Sequence, residues 1–104
     1  MDNVATLISR TYKEDEIGQS VLDLETFTDI FVMEKSLSKS EFFEAGQAGL
    51  NAELVLITPC VNYEGQQYVL YNKKEYGIYR TYKTNDSDMI ELYLEQKAGV
   101  TNEH

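Results

Sequence analysis

The chain is 104 residues long, which leaves room for one domain and one core, residues 1–104, with little stability to spare when it folds alone. Eighteen acids against nine Lys and Arg give a formal charge of −9. That balance argues against holding nucleic acid by neutralising phosphates, while it suits a surface past which nucleic acid slides or simple solubility. Cys60 is the only cysteine, so no internal disulfide can form, and no apolar run approaches the roughly 20 residues of a membrane helix.

Met1-Asp2-Asn3 opens with an acid and no apolar stretch, which argues against a signal peptide and for a protein made and used in the cytoplasm. Val4, Thr6, Ile8, Arg10 and Tyr12 share one side of a two-residue period and predict a first strand, with a short amphipathic helix as competitor. Residues 13–25 are acidic and broken by Gly18, and read as a solvated hairpin loop. From Glu14 to Glu34 there are seven acids and no base. A second strand is expected from about Thr26 to Leu37. Its run Ile30-Phe31-Val32-Met33 is apolar on both faces, which points to a central position.

Ser38-Lys39-Ser40-Glu41 fits a capping box, with Ser38 at the cap and Glu41 three residues on. It predicts a short helix over residues 40–48, with Glu41 and Glu44 near its positive end and Gly49 as its stop. Phe42 and Ala45 share one helical face and Phe43 another, so one small core cannot easily bury both aromatics. Four strand signals follow: a buried run at 54–57 ended by Pro59, then residues 67–71, 76–83 and 89–95. Turns at 62–65, Asn72-Lys73 and 85–88 separate them. In the last strand Ile90, Leu92 and Leu94 are expected inward, and Glu91, Tyr93 and Glu95 outward. Residues 98–104 read as a frayed tail. Closely spaced strands bounded by turns predict a mainly β fold, a small antiparallel β-barrel or a sandwich with one short helix.

Catalytic chemistry is hard to find. The single histidine, His104, is the last residue, and a productive base must be held rigidly. Cys60 has no histidine beside it and fits a small structural residue. Glu14, Asp15 and Glu16 could hold a cation weakly, and Asp86 and Asp88 begin like a calcium loop, but that loop's glycine and final glutamate are missing. No enzyme activity, cofactor or metal is expected. Tyrosine is more informative: six of the eight lie between Tyr63 and Tyr82, beside Lys73, Lys74, Arg80 and Lys83. Aromatics on a small barrel can stack single-stranded bases. Tyrosine is also a strong strand former, and Tyr and Arg are enriched at protein interfaces. With the net negative charge, an inter-subunit interface using Tyr76, Tyr79, Arg80 and Tyr82 is favoured.

One longer pattern combines these pieces. Residues 31–46, Phe-Val-Met-Glu-Lys-Ser-Leu-Ser-Lys-Ser-Glu-Phe-Phe-Glu-Ala-Gly, place a strand before Ser-x-x-Glu, two aromatics and an alanine. With the Asp15-Glu16-Ile17-Gly18 loop, Tyr63-Glu64-Gly65, residues 75–82 (a Tyr-x-Ile-x-Arg strand) and Glu91-Leu92-Tyr93-Leu94-Glu95, the chain resembles the phage head–tail joining proteins. These are also called head-completion, head-closure or stopper proteins.

The resemblance implies a small antiparallel β-barrel whose copies form a ring, expected to be a dodecamer, at the head–tail interface of the virion. The ring's partners would be the portal or adaptor above and tail proteins below. Packaged DNA would pass through or abut its channel without sequence-specific binding, and no membrane is involved. The segment carrying Ser38, Ser40, Glu41, Phe42, Phe43, Glu44 and Ala45 would supply a plug, channel or inter-subunit contact. A tail terminator or other small connector component is the nearest alternative. A small-barrel module for single-stranded nucleic acid is the alternative from another class.

Overall fold

The computed structural model describes residues 3–83 and 87–96. Strand β1 spans Asn3–Glu14, β2 Ser20–Lys35, β3 Ala52–Pro59, β4 Tyr68–Tyr71, β5 Lys74–Lys83 and β6 Met89–Gln96. One helix, α1, spans Lys39–Gln47, and a single 3₁₀ turn covers Cys60–Asn62. All strand pairs are antiparallel, and the six strands close into one sheet in the order β1-β2-β3-β6-β5-β4. Expected residues 85–86 and 98–104, with His104, lie outside the described part. No described helix is long and apolar enough to cross a membrane.

Alternation builds the interior. Ala5 and Leu7 of β1, Ile30 and Val32 of β2, Leu56 of β3, Val69 and Tyr71 of β4, Tyr76 of β5, and Leu92 and Leu94 of β6 form one buried cluster. Each strand contributes every second side chain, so closing the sheet encloses the core from all sides. Thr58 is fully buried. It donates to the carbonyl of Phe31 at 2.9 Å and accepts from Asn62 Nδ2 at 3.0 Å, so its burial leaves no polar group unpaired. The Asn72-Lys73 turn is as expected: both residues have positive φ, 52° and 67°, the conformation whose twist matches a tight hairpin. In β6, Leu92 and Leu94 face inward and are buried, as the alternation predicts.

The first strand forms as predicted, and two other expectations change. The inward side of β1 is the odd one, Ala5 and Leu7. Val4 and Tyr12, on the even side, are more than half exposed, although Ile8 between them is covered. Residues 13–25 are not a loop: only Asp15–Gln19 turns, and β2 begins at Ser20. The acids that read as loop are accommodated on strands by cross-strand pairs, Lys13 with Asp23 at 3.6 Å and Arg10 with Glu25. The turn itself closes because the Asp15 carboxylate accepts from the amides of Ile17 and Gln19, at 3.0 and 2.8 Å. Finally, Phe31 and Met33 do not mark a doubly buried strand. Ile30 and Val32 are buried, but Phe31 and Met33 face solvent at 62% and 48% exposure.

The β1–β2 hairpin is far longer than the body it springs from. Of its residues, only Thr6–Ile8 pair with β4 and only Met33–Lys35 with β3. Among the described residues, 9–14 and 20–26 pair only with each other and form a two-stranded arm, and the molecule extends 47 Å along its long axis against 31 and 29 Å across.

Candidate interaction surface

Helix α1 is short and polar, so its ends matter. Ser38 Oγ accepts the amide of Glu41 at 3.1 Å, the expected N-cap. At the other end the amide of Leu50 donates to the Ala45 carbonyl at 2.9 Å and that of Gly49 to Gly46 at 3.0 Å, with Gly49 at φ 83°. This is a Schellman end, which needs a left-handed residue after the cap. Only Ala45 of the helix is buried, packed on the outer side of the sheet near β3.

The capping box is only half formed, and the missing half is instructive. Glu41 does not reach back to Ser38. Its carboxylate accepts the Tyr79 hydroxyl at 2.7 Å and the Arg80 guanidinium at 2.7 Å. The Arg80 guanidinium lies over the Tyr93 ring at 3.9 Å, and Tyr79 meets Tyr93 edge-on with centroids 6.2 Å apart. The Tyr93 hydroxyl donates to Glu91 at 2.7 Å, and Lys35 reaches Glu91 at 3.0 Å. One chain of polar and aromatic contacts therefore joins α1, β5, β6 and β2. Its electrostatics are consistent: the hydrogen bond from Arg80 holds the Glu41 carboxyl below the usual carboxylate range, and burial, helped by the bond to Glu41, pushes the Tyr79 phenol up. Beside it an open groove of about 540 Å³ runs between α1 and Tyr79 and Arg80.

Pinned in this way, α1 presents both of its phenylalanines to solvent. Phe42 is 54% and Phe43 65% exposed, with ring centroids 6.1 Å apart, edge to face. The expectation that two adjacent aromatics cannot both enter one core holds, and here neither does. Ser40 and Glu44 are also exposed. Of the tyrosines expected at an interface, Tyr82 is exposed at 49% and Tyr79 is half-buried against Glu41. Tyr76 departs from expectation: it is buried in the core, its hydroxyl donates to Glu53 at 3.0 Å, and its pKa is pushed up to about 12, mainly by burial. The every-third-residue spacing of Tyr76, Tyr79 and Tyr82 does not place them on one face. The register between β5 and β6 shifts between Ile78 and Arg80, so Tyr76 points inward and Tyr82 outward.

No protein-family model and no curated protein matches the chain. The site must therefore be read from its own chemistry. Among the described residues, no three His, Cys, Asp or Glu side chains gather to hold a metal ion, and Cys60 is a free, half-buried thiol.

Two features escaped sequence reasoning. Arg10 forks onto both oxygens of Glu75 at 2.9 and 3.1 Å, bonds Glu25, and lies 4.9 Å over the Tyr68 ring. It fixes the base of the arm to β5 through partners 15 and 65 residues away, which no local spacing reveals. The second is the outer face of the hairpin. Paired residues of antiparallel strands share a face, so Val4 lies beside Phe31, and Tyr12 beside Leu22. Phe27 and Met33 add to these, each residue about half exposed or more, with the Thr6–Asp29 and Arg10–Glu25 pairs set between them on the same face. Alternation is visible in the sequence, but a strand apolar on both faces cannot say which face is wet.

Proposed function

We propose that the chain is a structural protein of the phage head–tail connector, a small β-barrel that joins the portal or adaptor to the tail and helps retain packaged DNA. The observation that carries this is the fate of residues 31–46, the segment on which the resemblance rests. It runs from an exposed aromatic edge of β2 into a capped helix, and Glu41 holds that helix to Tyr79 and Arg80. Phe42 and Phe43 are thereby presented outward on a fixed platform. Exposed aromatics that the monomer does not use, on a chain with no assembled reacting groups among the described residues, fit a part that completes itself by assembly. The charge of −9 keeps such a surface from adhering to passing DNA.

Base stacking is less well served. It needs several solvent-facing aromatics in a basic groove. Tyr76 is buried and Tyr79 and Arg80 are occupied by Glu41, so the stretch presents chiefly Tyr82.

The experiment is a virion assembled with Phe42→Asp, Phe43→Asp or both in place of the native chain, imaged by electron microscopy. Heads that have lost their packaged DNA or lack tails, made with a variant that still folds as an isolated chain, are the expected result. Normal infectious particles from the double variant would remove the helix face from the account. Sealed heads beside tails of abnormal length would move the assignment to a tail terminator.

A further inference from the structure

The exposed pair Phe42–Phe43 and the groove beside Tyr79 and Arg80 belong to one helix, on opposite sides of it. An α-helix turns about 100° per residue, so residues three, four and seven apart share a stripe. Lys39, Phe42, Phe43 and Gly46 make one stripe, and Glu41, Glu44, Ala45 and Ala48 make the other. The two are offset by two positions, roughly 200° around the axis. The second stripe lines the groove of about 540 Å³, which Leu50, Tyr79 and Arg80 complete.

The two stripes match in chemistry. One presents two aromatic rings, each more than half exposed. The groove answers with the short side chains of Ala45 and Ala48 and with Leu50, so a ring finds both room and apolar surface. Arg80, its side chain 41% exposed, can meet an incoming ring with its cation. A ring there would strand no polar group, because Glu41 is already satisfied by Tyr79 and Arg80. Charge matches as well. Lys39 beside the rings and Glu44 at the groove are exposed, and neither has an ion-pair partner among the described residues. Lys39 is also the first residue of α1, at the helix's positive end, where a cation is unfavourable without an acid beside it.

We infer that Phe42 and Phe43 of one copy seat in the groove between α1 and β5 of a second copy, with Lys39 of the first facing Glu44 of the second. A two-fold pair would need the rings and the groove on one side of the helix, and they lie on opposite sides. The contact is therefore head-to-tail, and every copy keeps one free pair of rings and one free groove until a ring of subunits closes. The aromatic side chains supply buried area, and the Lys39–Glu44 pair sets direction. This rests on the assembly role proposed above and adds what receives the exposed aromatics.

Cross-linking between single-cysteine chains tests it. Gly46 lies on the aromatic stripe with open space around a Cβ, and Ala48 is exposed at the groove. In a Cys60→Ser background, Gly46→Cys and Ala48→Cys are made in separate full-length chains, mixed at high concentration and oxidised with diamide. Mixed 46–48 dimers are expected to form at least about ten-fold faster than 46–46 or 48–48 dimers. Lys39→Glu in the chain carrying Gly46→Cys should cut that rate about ten-fold, and Glu44→Lys in the chain carrying Ala48→Cys should then restore it. Phe42→Ala with Phe43→Ala, both at exposed positions, should remove the preference for mixed dimers. Dominant 46–46 or 48–48 dimers, no preference above random collision, or a 46–48 rate indifferent to the charge reversals would overturn the inference. A ring that sediments without 46–48 cross-links would refute this docking while leaving the connector role standing. Efficient, charge-dependent 46–48 cross-links in a chain whose loss leaves virions intact would do the reverse.

Discussion

Replacing Glu41 with alanine should release helix α1 from the sheet without unfolding the sheet. The helix has nine residues and one buried side chain, too little to stand alone in water. Glu41 accepts charge-assisted hydrogen bonds from two residues, Tyr79 and Arg80, such bonds being worth about 1.5–3 kcal/mol each when shielded. The Arg80 side chain is 41% exposed, so its share is discounted to about 1 kcal/mol. Tyr79 loses its partner beside an open groove where water can replace it, which costs about 1 kcal/mol. The sum, about 2 kcal/mol, corresponds to roughly a 30-fold increase in local opening. Amide hydrogen exchange reads this directly: amides of α1 should exchange about 30-fold faster in Glu41→Ala, while those of β6 change less than about two-fold. Glu41→Gln, which keeps an acceptor for Tyr79, should fall between. Unchanged α1 exchange, or equal acceleration in β6, would refute the idea that this carboxylate pins the helix. Acid should mimic the substitution. The folded-state pKa of Glu41 is depressed, so its contribution is complete above the unfolded carboxylate value, about 4.3, and is lost as pH falls through the lower folded value.

Other substitutions separate surface from core. Phe42→Asp and Phe43→Asp should each shift stability by no more than about 0.5 kcal/mol in thermal melts, because both rings are more than half exposed. Leu56→Ala, fully buried in the closed sheet, should cost about 2–5 kcal/mol in denaturant titration. Arg10→Ala should raise exchange in the arm more than in β3 or β6, since it removes the fork to Glu75 and the bond to Glu25 together. In alkaline absorbance titration, Tyr76 should ionise only near pH 12. Its raised folded pKa means that its contribution is intact below the free phenol value, about 10, and is lost as pH rises through the folded one.

The sequence made local features easy to see and long-range ones hard. Ser38, Gly49, the Asn72-Lys73 turn and the alternation of β6 are set by neighbours in the chain, and each appears where its residue types require. The hairpin was half-legible. Its acids suggested a loop because their neutralising partners, Arg10 and Lys13, sit on the opposite strand. Phe31 and Met33 suggested deep burial because apolar content does not distinguish a buried face from one waiting for a partner. At the candidate site, Ser38, Glu41, Tyr79 and Arg80 were all chosen from sequence and do converge, but their union across 38 and 39 residues is a property of the closed sheet. Tyr76 was misplaced by its spacing, because the register shift in β5 turns it inward.

The most direct test of the connector role is deletion of the gene from its phage, followed by electron microscopy of the particles produced. Heads that package DNA, lose it and carry no tails are predicted. Complete virions of normal infectivity would contradict the role, whatever the surface of the isolated chain can bind.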